Sequence, residues 1–125
     1  MAEQIEAAVL VEAVADFLRS IEGDLSGQKA FHAKVAANAL AIVARELAQQ
    51  PGAAEAVALG DFLGHRASLA ALRAELCGRL RTGQLTPETP GLLEALTTAT
   101  LARVAVDNPR YSTLARLAAD HPPKA

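Results

Sequence analysis

The chain has 125 residues, 51% of them apolar, and a formal net charge of −2. Alanine (29) and leucine (18) dominate, whereas valine and isoleucine together number 11 and the aromatics are three Phe and one Tyr; strand-forming residues are too scarce for a β-rich fold, so the class is all-α. Charge is uneven, −5 over residues 1–64 (9 acids, 4 bases) and +3 over residues 65–125 (5 acids, 8 bases), and without a dense basic stripe or stacking aromatics it favours head-to-tail or self-complementary association over nucleic-acid binding.

The length is that of one domain, expected over residues 1–120 with a frayed tail at 121–125, "DHPPKA" supplying the last turn and the tail. The opening "MAEQIEAAVLVEAV" places Glu3, Glu6 and Glu12 where a secretory signal needs a basic region and an uninterrupted apolar run. A cytoplasmic protein is therefore expected. A first helix is predicted from about Glu3 to Ile21, with Leu10, Val11, Val14, Phe17 and Leu18 at helical spacing and Glu12, Asp16 and Arg19 opposite.

A second helix follows from about Gln28 to Gln50 and carries "AFHAKVAANALAIVARELA", residues 30–48. Its longest uncharged run, Val35–Ala44, falls well short of the roughly 20 apolar residues of a membrane helix, so no membrane span is expected. Half of its circumference is large and apolar (Phe31, Val35, Ile42, Val43, Leu47) and most of the rest is alanine, which lets a neighbour approach closely. That pattern predicts the centre of an antiparallel bundle of five or six helices. His32, Asn38 and Glu46 then become polar groups inside a core, expected to find hydrogen bonds on other elements and to fix helix register, since an unpaired buried group costs about 1 to 3 kcal/mol. An enzyme using His32 as a base ranks last, because no partner carboxylate or nucleophile motif lies near it.

Pro51-Gly52 stops the second helix, and a short third runs from Ala53 to Leu63. "GDFLGH" has two glycines but lacks the Lys and Ser/Thr of a phosphate loop. Ser68 is a predicted N-cap for a fourth helix with a stripe of Leu69, Leu72, Leu76 and Leu80 that ends at Gly83. On this helix Arg73 and Arg81 flank the single Cys77, which reads as a small hydrophobe; the arginines form a solvated row or, in a two-fold homodimer, an interface with Glu12 and Asp16 of a second copy. His32, His65 and His121 lie on separate elements without metal-site spacing, so no metal or other cofactor is expected.

"TPETPG" offers two starts for a fifth helix, Thr86-Pro87 and Thr89-Pro90, each a cap residue followed by a proline suited to the first turn. In "DNPRYS", residues 107–112, Asn108 before Pro109 predicts both a stop and a new helix start, whose free N–H groups with Arg110, Tyr111 and Ser112 would suit an anion. The bland alternative is an ordinary cap with a solvated arginine.

"FHAKVAANALAIVARE" together with "LARVAVDNPRYSTL" resembles a bacterial family of small helical domains of unknown function, from the first helix to "NPRYS"; Lys34 departs from an expected arginine. The resemblance implies an accessory role beside aminoglycoside-phosphotransferase-like kinases and acyl-CoA-dehydrogenase-like proteins, and carries over no catalytic residue. A non-catalytic interaction module is thus the leading expectation. The alternative is a domain that binds a phosphorylated or acyl-CoA-like metabolite near Arg110.

Overall fold

The computed structural model describes residues 6–120. Among them are six α-helices and no strand: α1 (Ala7–Ile21), α2 (Gly27–Gln49), α3 (Pro51–Leu63), α4 (Leu69–Arg81), α5 (Leu92–Asp107) and α6 (Leu114–Asp120). The class is all-α, as the composition requires. Between Gln50 and Pro51 the chain divides into two compact units, where length alone implies one domain. The predicted start at Glu3 and the tail 121–125 fall outside the described residues.

In the first unit α1 and α2 form an antiparallel hairpin across a single 3₁₀ turn, Glu22–Asp24. Its fully buried side chains are all alanine: Ala15 on α1, and Ala33, Ala37 and Ala44 on α2. Small side chains at the contact let the two axes approach closely. The expected role of α2 is therefore corrected in two respects. Its alanine face, not its large-residue face, is the buried one, and it forms one half of a two-helix hairpin rather than the centre of a bundle. Proline ends α2 by a mechanism slightly different from a simple stop. Gln50 takes a left-handed conformation (φ 48°), its N–H donates to the Glu46 carbonyl at 2.9 Å, and Pro51 opens α3 at once as its first residue.

The second unit holds the larger core. Leu59 of α3, Leu72 and Leu76 of α4, Leu85 of the following loop and Leu92 of α5 form one buried cluster, with Phe62, Leu63, Leu69 and Leu96 packed on it. Each such leucine contributes roughly 1.5 to 3 kcal/mol relative to an exposed one. Here α3 packs against both α4 and α5. Gly60 makes this possible: its Cα lies under the turn that follows, and a Cβ would come within 2.9 Å of the His65 carbonyl oxygen. Ser68 caps α4 as predicted, its Oγ accepting the Ala71 N–H at 3.1 Å.

Neither proline of "TPETPG" enters a helix. The two threonines bond to one another across a turn (Thr86 N–H to Thr89 Oγ1, 2.9 Å; Thr89 N–H to the Thr86 carbonyl, 2.9 Å), and α5 starts only after Gly91, whose φ of 87° disfavours any other residue. Asn108 likewise closes α5 instead of opening the next helix. Residues 109–113 run through turns, and α6 begins at Leu114.

Candidate functional site

His32, Asn38 and Glu46 are exposed, which corrects their assignment to a polar core. The reason lies in the hairpin: α2 turns Ala33, Ala37 and Ala44 inward, and at 100° per residue His32 and Glu46 fall on the other half of the helix. The ring of His32 lies 6.0 Å from that of Phe31, tilted by 52°. Among the described residues no polar or charged residue is fully buried.

The anion site expected at Asn108, Arg110, Tyr111 and Ser112 lacks the helix start on which it depends. The Tyr111 N–H donates to the Asn108 carbonyl, and the Leu114 N–H donates to that of Tyr111, each at 3.0 Å. Two of the donors that an anion would need are thus already used by the turns, and all four side chains are exposed. For the expected interface, Arg73 donates through Nε to Glu55 Oε2 of α3 at 2.6 Å and Asp16 pairs with Arg19 at 3.4 Å. Both residues have partners within their own unit. Arg81 and Glu12 are exposed, and so is Cys77.

The structure assembles a different polar group, between the end of α3 and α4. His65 Nε2 lies 2.7 Å from Glu75 Oε1, and Glu75 Oε2 lies 2.8 Å from an Arg79 guanidinium nitrogen in an i,i+4 ion pair. Gly64, with φ at 85°, and the His65 N–H both return to the Gly60 carbonyl, so the backbone aims the imidazole at α4. Beside it is an open cleft of about 510 Å³ lined by Val57, Gly60, Asp61, Gly64, His65 and Arg66. Asp61 and Arg66 set opposite charges on its walls. His65 has one ring nitrogen committed to Glu75, which makes the chain of three side chains a clamp on the α3–α4 connection. Nothing in that arrangement places a nucleophile. Among the described residues no three His, Cys, Asp or Glu side chains are grouped to hold a metal ion, and no helix is long and apolar enough to cross a membrane.

The most extensive unsatisfied surface lies on the hairpin. Val9, Leu10, Val14 and Phe17 of α1 and Phe31, Val35, Val43 and Leu47 of α2 leave between 42% and 64% of their surface open. The signal for this was in the spacing of α1. Ala8, Val11, Ala15 and Leu18 form one row with alternating steps of three and four, and Ala7, Leu10, Val14, Phe17 and Ile21 form a second. A helix with two such rows asks for two neighbours, and α2 covers the first row only.

The model of a family described as Domain of unknown function (DUF6285) matches residues 23–111, from the turn after α1 to Tyr111. The chain belongs to that family. The DUF6285 match takes in α2 to α5 and leaves α1 outside, so it is narrower than a resemblance that starts with the first helix. No curated protein and no solved structure matches the chain.

Proposed function

We propose that this DUF6285 chain is a non-catalytic accessory module that works by protein–protein assembly, with the open side of the α1–α2 hairpin as its assembly surface. One observation carries the reading: the residues that the two-helix hairpin buries fully are all alanines, while Val9, Leu10, Val14, Phe17, Phe31, Val35, Val43 and Leu47 stay between 42% and 64% exposed. Large apolar side chains left exposed in this number on one hairpin mark a contact with another protein. The partners it serves are the ones implied by the family resemblance, a phosphotransferase-like kinase or an acyl-CoA-dehydrogenase-like protein, and it is placed with them in the cytoplasm.

Co-expression of the full chain with each of those two proteins tests the proposal. Co-elution on size exclusion is the expected result, and replacing Leu10 and Phe17 with Gln should abolish it. A chain that elutes alone in both cases, with an elution volume unmoved by the double substitution, would contradict an assembly role for the hairpin.

A further inference from the structure

Two opposite charges on the walls of the α3–α4 cleft have no partner of their own. Among the described residues neither Asp61 nor Arg66 makes an ion pair or a side-chain hydrogen bond, whereas Arg73 and Arg79 of the adjoining helix both pair with glutamates. The two line one cleft, yet they do not pair with each other.

Each also stands at the helix end that opposes it. Asp61 lies in the last turn of α3, where the helix dipole is negative and which holds no basic residue. The N–H groups of Gly64 and His65 both return to the Gly60 carbonyl, so the carbonyls beyond Gly60 are left without a helical partner and add to that negative end. Arg66 comes two residues before the Ser68 cap, near the positive end of α4, whose first turn holds no acid. Among the described residues the N–H groups of Arg66 and Ala67 make no backbone hydrogen bond either. The cleft therefore has a cation-seeking side and an anion-seeking side, both unsatisfied.

The rest of its lining is apolar or bare. Val57, one helical turn before Asp61 and so on the same face of α3, is 63% exposed, and Ala56, Gly60, Gly64 and Ala67 add little side-chain bulk. The volume of about 510 Å³ falls in the range of small-molecule sites. His65, also on the wall, is held by Glu75 at 2.7 Å, which ties the turn to α4.

We propose that this cleft binds a free amino acid with an aliphatic side chain. Its ammonium group takes Asp61 and the end of α3, its carboxylate takes Arg66 and the open N–H groups of the turn, and its side chain lies on Val57. A dipolar ligand satisfies both charges at once, whereas a simple anion or cation leaves one of them unpaired. The cleft belongs wholly to the second unit, so this binding is separate from assembly through the hairpin.

Amide chemical shifts of the isotope-labelled full chain, followed while L-leucine is added to about 20 mM, test the proposal. The expected result is saturating shifts at Gly60, Gly64, Arg66 and Ala67 with a dissociation constant of about 1 mM. N-acetyl-L-leucine lacks the ammonium group and L-leucinamide lacks the carboxylate, and each should bind at least about tenfold more weakly. Asp61→Asn and Arg66→Gln should each weaken L-leucine binding to the same degree. Both side chains are exposed, so the shifts of the rest of the chain should stay in place, which checks folding. Shifts that do not saturate by about 20 mM, analogues that bind as tightly as L-leucine, or variants that bind as tightly as the wild type would each overturn the proposal.

Discussion

The two units of the chain use their apolar residues in opposite ways. The second packs Leu59, Leu72, Leu76, Leu85 and Leu92 inside, whereas the first buries Ala15, Ala33, Ala37 and Ala44 and leaves Phe17, Phe31 and Leu10 outside. Burial of an alanine removes little more than a methyl group from water, worth about 0.8 kcal/mol, against roughly 1.5 to 3 kcal/mol for a leucine. Helices of this length are marginal without an apolar face packed away. The contrast shows that a residue's contribution depends on which face the neighbour takes, and that the hairpin has its strongest apolar contacts still to make.

The largest expected effect separates the units directly. Leu72→Ala, at a site only 1% exposed, should destabilise the second unit by about 2 to 5 kcal/mol in urea unfolding. By contrast, Phe17→Ala measured at a concentration below that of assembly should cost about 0.5 kcal/mol or less. Equal losses would break the comparison. Gly60→Ala comes next, at about 1 to 3 kcal/mol, because the new methyl meets the His65 carbonyl and the α3–α4 turn must shift; an unchanged midpoint would show that the turn is free to move. Ser68→Ala removes the cap of α4 and should lower stability by about 1 kcal/mol in the same assay.

Smaller effects sharpen the picture of the polar groups. Removing the Arg73–Glu55 pair by Arg73→Met should cost at most about 1 kcal/mol, and less in high salt, since the arginine is solvent-exposed. His32→Gln should leave the thermal midpoint within the scatter of surface substitutions, about 0.5 kcal/mol. A drop of 2 kcal/mol or more would return the imidazole to a structural role.

Much of the fold was legible in the residues. The lack of β-branched and aromatic residues set the class, Ser68 announced the start of α4, and Leu72 and Leu76 emerged from a stripe at helical spacing. Helix starts at proline were misread for a physical reason: Thr86 and Thr89 found partners in each other, which holds "TPETPG" as a turn and delays α5 to Leu92. The largest error concerned α2. Periodicity identifies an apolar arc but not its neighbour, and where both arcs of a helix are apolar the choice between packing on alanine or on Phe31, Val35 and Val43 is made by the partner helix. The His65–Glu75 contact was out of reach as well, since it joins residues ten apart through a turn whose path depends on Gly60 and Gly64. For the hairpin surface a signal did exist, in the second row of α1, and it was concealed by the first.

Amide hydrogen exchange of the full chain tests the central claim most directly. The account predicts that amides of α1 over Val9–Phe17 exchange markedly faster than those around Leu72 and Leu76, because the hairpin fully buries only alanines whereas the second unit buries leucines. Exchange in α1 as slow as that around Leu72 and Leu76 would contradict it.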